Sequence, residues 1–121
     1  MTYSVLIVED ERPVSQVLEI KLSRSGISVF TAYDGKDAFQ KIQNQSFDLV
    51  LLDLMMPEMD GFSVLREMRE RGILVPVIVT TNLSQDEDRQ KAKDLGASDY
   101  IVKSDTPLAT IVQKVLERFQ S

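Results

Sequence analysis

The sequence predicts a doubly wound α/β fold in which a five-stranded parallel sheet is covered by helices on both faces. Three observations carry that expectation. Five short apolar or β-branched runs recur along the chain, and each is followed by a stretch of helical length. Glycines stand where three of the helices must stop before the next strand. Strand, helix, strand repeated in one chain requires right-handed crossovers and hence a parallel sheet.

The first run, SVLIVE at residues 4–9, is apolar up to its last residue. LVLLD at 49–53 and PVIVTT at 76–81 read the same way, which suits central strands buried on both faces. SVFTAY at 28–33 and DYIVK at 99–103 complete the set. Helices are predicted over residues 13–25, 35–44, 62–71, 84–95 and 107–120, with Gly26, Gly72 and Gly96 as the C-terminal caps of the first, third and fourth. The fifth is the clearest. Leu108, Ile111, Val112, Val115, Leu116 and Phe119 recur at helical spacing, behind Thr106 as expected N-cap and Pro107 at the first helical position. Ser84 and Glu87 form a capping-box pattern for the fourth helix, which offers only Ala92 and Leu95 to a core and is expected to be the least firmly packed.

Composition bounds the chemistry. A chain of 121 residues with 43% hydrophobic and 27% charged residues fits one globular domain, residues 1–121. There is no apolar run near the roughly 18 residues of a membrane span and no secretory signal pattern, so a cytoplasmic protein without membrane contact is expected. The absence of Cys and His removes disulfides, thiolate metal sites, a thiol nucleophile and the commonest general base. A net charge of −5 argues against direct nucleic-acid binding and in favour of a cation or a protein partner.

In an open parallel sheet, ligands bind beyond the carboxyl ends of the strands, so polar residues that end central strands point into the site. Glu9 and Asp10 end the first strand, Asp53 the third, Thr80 the fourth and Lys103 the fifth. Three carboxylates side by side repel by roughly 4 kcal/mol per pair at 4 Å and intermediate dielectric, so a cation is expected among them. Oxygen ligands without His or Cys select a hard ion, and a small carboxylate cluster fits Mg²⁺. Thr80 and Lys103 would then face an anion carried on one of the acids, as in phosphoryl transfer, with Asp53 the best-placed nucleophile. Singly, each residue has an ordinary explanation: a turn-capping Asp, a β-forming Thr, a solvated Lys. Their joint occurrence at successive strand ends favours the chemical one.

The chain resembles the receiver domains of two-component response regulators along essentially its whole length. VLIVEDE, AYDGKDAF, FDLVLLDLMMPEMDGFSVLREMR, PVIVTT and LGASDYIVK carry the likeness, and DLMMPEMDG after an apolar strand is its most specific part. The resemblance implies a flavodoxin-like sheet of strand order 2-1-3-4-5. It implies that Asp53 accepts a phosphoryl group from the phosphohistidine of a histidine kinase or phosphotransfer protein. Mg²⁺ would be held by Asp10, Asp53 and the Met55 carbonyl, with Glu9 acting through water. Thr80 and Lys103 would contact the phosphoryl oxygens, and Tyr100 would reorient with Thr80. The output face would be the fourth helix, fifth strand and fifth helix, acting on a downstream effector or through a dimer. Such a domain catalyses only its own phosphorylation and dephosphorylation and is not otherwise an enzyme.

Three positions depart from the family pattern. Ser104 replaces the usual proline after the lysine, so a trans Lys103–Ser104 bond is expected, because a cis bond before serine costs about 3–4 kcal/mol. Thr81 replaces a small residue beside the switch hydroxyl, and Met55 is apolar beside the phosphate position. Other classes fit less well. An aspartyl phosphatase would carry a second acid two residues after the first, where Met55 stands. A flavodoxin-like cofactor binder would need a glycine- and hydroxyl-rich phosphate loop where EDERPV stands. The remaining alternative is an adaptor of the same fold that works without phosphorylation.

Overall fold

The computed structural model describes residues 2–120. Five strands, β1 (Ser4–Val8), β2 (Ser28–Ala32), β3 (Leu49–Leu52), β4 (Val77–Thr81) and β5 (Asp99–Val102), alternate with α1 (Arg12–Arg24), α2 (Gly35–Asn44), α3 (Gly61–Glu70), α4 (Asp86–Asp94) and α5 (Leu108–Arg118). The strands are all parallel, in the order β2-β1-β3-β4-β5, as expected.

Because strand side chains alternate between faces, the apolar runs feed two separate cores. Leu6, Val8, Val50, Leu52, Val77 and Val79 meet Ala38 and Ile42 of α2, Val64, Leu65 and Met68 of α3, and Ala92 of α4. On the other face, Val5, Ile7, Leu49, Leu51, Ile78 and Ile101 meet Leu18 and Leu22 of α1 and Ile111, Val112 and Val115 of α5. Each of β1, β3 and β4 thus contributes to both layers, which is why those segments read as unbroken hydrophobic runs.

Local chemistry explains most element ends and shifts a few of them. Asp34 caps α2 by accepting from the Asp37 N–H at 2.7 Å, and Asp60 caps α3 by accepting from the Ser63 N–H at 2.9 Å. Gly26, Gly72 and Gly96 follow α1, α3 and α4 with φ of 87°, 72° and 92°, the left-handed conformation expected of C-terminal cap glycines. The Ser84–Glu87 capping box does not form. Helix α4 begins at Asp86 behind Gln85, with no side-chain cap, because the preceding loop is tied elsewhere: the Leu83 N–H donates to Thr81 Oγ1 and the Leu83 carbonyl is bound by Tyr100. Its acidic first turn, Asp86, Glu87 and Asp88, still suits the helix dipole. Thr106 does not cap α5 either; Pro107 occupies the N-cap position in an extended conformation, and a 3-10 turn over Lys103–Asp105 separates α5 from β5. Every peptide bond among the described residues is trans, Lys103–Ser104 included. Helix α4 buries only Ala92 fully, in keeping with its sparse apolar face.

Among the described residues, Ser15 Oγ in α1 is the one buried side-chain polar atom without a hydrogen-bond partner. Burial without a partner costs more than an apolar side chain would. Ser15→Ala is therefore expected to stabilise the fold by about 1 kcal/mol, seen as a higher urea midpoint at unchanged slope. A lower midpoint would show that the hydroxyl finds a partner in solution.

Candidate functional site

Three of the strands end one residue before the polar groups expected to end them, whereas Thr80 lies within β4, which runs on to Thr81. Glu9 follows β1, Asp53 follows β3 and Lys103 follows β5, and the N–H groups of Glu9 and Asp53 still donate across the sheet, to the Ala32 and Val8 carbonyls, so these side chains stand at its very edge. Glu9 and Asp53 are nonetheless 2% and 3% exposed, while Asp10 faces solvent. One carboxylate oxygen from each of Glu9, Asp10 and Asp53 lies within 4.8 Å of the others. Lys103 Nζ donates to Glu9 Oε1 at 2.7 Å and to Asp53 Oδ2 at 2.9 Å, with Glu11 Oε1 at 3.7 Å. The second oxygen of each buried acid is held by the main chain: the Glu11 N–H donates to Glu9 Oε2 and the Met55 N–H to Asp53 Oδ1, both at 3.1 Å.

Two buried carboxylates and one ammonium leave an excess of negative charge, and Asp10 adds to it. Burial pushes the Glu9 carboxyl above its ordinary value, against the opposing pull of Lys103. Burial alone would push Lys103 down, but its hydrogen bonds to Glu9 and Asp53 outweigh this and hold it above its ordinary value. A carboxyl raised in the folded state contributes stability at low pH that is lost as pH rises through its folded value, whereas Lys103 keeps its contribution until pH passes above 10.5. Oxygen donors from three acids at this spacing could hold a hard divalent cation, which would relieve the same excess charge.

The loop after β3 is shaped by glycine. A Cβ on Gly61 would fall 2.3 Å from the Asp53 carbonyl oxygen and 2.6 Å from Leu54 Cα, and the Gly61 N–H donates to the Leu54 carbonyl. The start of α3 therefore packs directly on the backbone that presents Asp53. Met55 is 55% exposed beside it. Across the sheet edge, Thr80 is buried in β4, beside Ile101 of β5 in the strand register. Tyr100 of β5 is half-buried; its hydroxyl donates to the Leu83 carbonyl at 2.7 Å, and the Arg89 guanidinium lies 4.7 Å over its ring.

All the residues expected at the site thus lie at one edge of the sheet, with Tyr100 directed to the loop that follows Thr80. Two contributors were not foreseen. Glu11 approaches Lys103, and the run EDE gave notice of an acid there without its direction. Gly61 seats α3 against Asp53, and its signal was the glycine of MDG in the motif.

A parallel α/β domain with an acidic strand-end pocket bridged by lysine defines a class, and comparison with known proteins places the chain within it. The family model described as response regulator receiver domain matches residues 5–115, and the chain belongs to that family. It is 43% identical over 99 residues to the transcriptional regulatory protein DltR of Streptococcus agalactiae, covering 82% of this chain and 44% of DltR. It is 35% identical over 107 residues to the alkaline phosphatase synthesis transcriptional regulatory protein PhoP of Bacillus subtilis, covering 88% of this chain and 45% of PhoP. The chain thus spans less than half the length of these two relatives. Among solved structures, the receiver domain of Francisella response regulator 1452 superposes with a TM-score of 0.89 at 30% identity, covering 95% of this chain and 94% of that one.

Lys103→Gln removes the cation that lowers the Glu9 carboxyl. The Glu9 titration midpoint, followed by carboxyl carbon NMR, is expected to move further up in that variant. An unmoved midpoint would mean that Lys103 does not face Glu9 in solution.

Proposed function

We propose that this chain is a phosphoacceptor switch: Asp53 takes a phosphoryl group from the phosphohistidine of a sensor histidine kinase or phosphotransfer protein, and the change is read at the surface of α4, β5 and α5. The observation that carries this reading is Asp53 itself, a buried carboxylate 2.9 Å from the Lys103 ammonium and within 4.8 Å of two further acids. Mg²⁺, held by Asp10, Asp53 and the Met55 carbonyl with Glu9 through water, would supply positive charge to the transferring phosphoryl oxygens. In the transfer, an Asp53 carboxylate oxygen forms a bond to phosphorus in line with the breaking bond to the donor imidazole, which leaves with the electron pair. Lys103, already held at the nucleophile, offers its ammonium to a phosphoryl oxygen, and the Thr80 hydroxyl would donate to another.

Phosphorylation replaces the single negative charge of the Asp53 carboxylate with close to two spread over phosphoryl oxygens, a net gain of about one. Thr80 drawn toward them changes the space beside Tyr100, whose hydroxyl is bonded to the Leu83 carbonyl at the entrance to α4. The phosphoryl group shifts a pre-existing equilibrium by as much as it prefers one state. Output passes to a downstream effector domain or protein, or through pairing of two α4-β5-α5 faces. DltR and PhoP are named transcriptional regulators; for this chain, whose charge is −5, direct nucleic-acid contact is not part of the proposal. No helix among the described residues is long and apolar enough to cross a membrane, and the site of action is proposed to be the cytoplasm. The domain turns over only its own phosphate.

With acetyl phosphate and Mg²⁺, intact-mass measurement is expected to show one phosphate on the wild type and none on Asp53→Asn. Asp10→Asn should weaken Mg²⁺ binding by about tenfold or more and slow uptake in step. Full labelling of Asp53→Asn would overturn the assignment of the nucleophile, and an unlabelled wild type would favour an adaptor that works without phosphorylation.

Met55 and Asn82 stand two residues beyond Asp53 and Thr80, and both are exposed. A thioether is a weak acceptor, whereas an amide can orient the water that attacks the acyl phosphate. Met55→Asn is therefore expected to speed first-order phosphate loss by about tenfold, measured at equal Mg²⁺ and pH. An unchanged or slower rate would show that Met55 does not control water access.

A further inference from the structure

Arg69 stands in the last turn of α3, and its guanidinium is committed to main-chain carbonyls rather than to an acid. Nη1 donates to the Ile73 carbonyl at 2.6 Å, Nε to the Leu95 carbonyl at 3.2 Å and Nη2 to the Gly96 carbonyl at 2.9 Å. Leu95 is the C-cap of α4 and Gly96 follows it, so a cation sits at the negative end of that helix dipole and satisfies carbonyls the helix leaves free. The fit depends on glycine twice. Gly96 has φ 92°, and a Cβ there would lie 2.5 Å from Arg69 Nε.

Little else holds α4. Ala92 is its one fully buried residue, and the loop leading into the helix is tied at Leu83, whose carbonyl accepts from the Tyr100 hydroxyl and whose N–H donates to Thr81 Oγ1, while Arg89 of the first turn lies over the Tyr100 ring. The two ends therefore differ. The C-terminal end is clamped by a planar fork from another helix, with two bonds into the α4 terminus; the N-terminal end has no side-chain cap and is tied chiefly through Tyr100. Helix α3, which carries Arg69, begins at Gly61 against the Asp53 backbone.

We infer that Arg69 is a positioning residue that fixes the C-terminal end of α4 to α3, so that α4 opens from its N-terminal end and turns about Leu95 and Gly96. The opening on phosphorylation rests on the function proposed above; the anchor itself does not.

Native-state amide exchange on the unmodified wild type, Arg69→Gln and Arg69→Lys tests the anchor. Arg69→Gln is expected to lose protection at the amides of residues 95–97 by about tenfold or more, as loss of one charge-assisted hydrogen bond implies, with β3 unchanged. Arg69→Lys keeps the charge without the fork and should fall between the two; it carries the comparison if Arg69→Gln does not fold. Unchanged protection at residues 95–97 would overturn the anchor. Acetyl phosphate with Mg²⁺ tests the pivot. In the wild type, exchange should change at residues 86–89 and stay nearly constant at 95–97, and in the variants the change should spread to 95–97. A wild-type response equal at both ends would overturn the pivot. Failure to take up phosphate, read by mass, would count against the proposed function alone, because the unmodified comparison still decides the anchor.

Discussion

The ammonium of Lys103 between Glu9 and Asp53 is the contact on which the pocket depends. Two carboxylates buried within a few ångströms of each other cannot both stay ionised without a counter-charge, since their removal from water already costs several kcal/mol per ion. Lys103 supplies that charge from 94 and 50 residues away in sequence. The ion pairs link the ends of β1, β3 and β5, so the charge balance of the site and the closure of its edge are one interaction. The balance is incomplete, because Asp10 and Glu11 add negative charge at the rim. Burial is what chiefly raises the Glu9 carboxyl, with the Asp53 charge a smaller contribution in the same direction. A pocket in this condition is suited to a positive charge, and under the proposed function Lys103 would exchange a carboxylate partner for a phosphoryl oxygen.

The fold separates rigidity from responsiveness. Strands β1, β3 and β4 are buried on both faces and carry the acids and Thr80 on a support that cannot move without disturbing two cores. Helix α4 lies on one of those faces with a single fully buried side chain and the partly buried Leu95, so its apolar packing is sparse and polar contacts carry more of its hold than in the other helices. Tyr100 joins the two regimes. Its main chain is in the sheet, its ring is half-buried against the core, and its hydroxyl holds the loop before α4. Under the proposed function, a displacement of Thr80 in the neighbouring strand would therefore reach a helix that has little packing to resist it.

Membership of the receiver family and the geometry of the pocket support each other at different depths. The family match over residues 5–115 covers every strand but the first residue of β1. The superposition with the Francisella receiver domain extends over nearly the whole of both chains. The two transcriptional regulators it resembles are more than twice as long as the aligned region.

The amino-acid sequence by itself determined the strand–helix alternation, the parallel sheet and the set of polar residues at the strand ends. These are written in local periodicity and in the abrupt change from apolar to charged side chains at Glu9 and Asp53. It also marked the positive-φ glycines and the weak apolar face of α4, which are properties of a few neighbouring residues. It misplaced the start of α4 and the cap of α5, because the groups that set those ends come from elsewhere in the fold: Tyr100 binds the Leu83 carbonyl, and a 3-10 turn intervenes after Lys103. Only the tertiary structure decided which oxygen of each acid faces Lys103, that Gly61 lies against Asp53, and that Arg69 binds the end of α4. Those contacts join residues far apart in the chain, and no local pattern of side chains specifies their geometry.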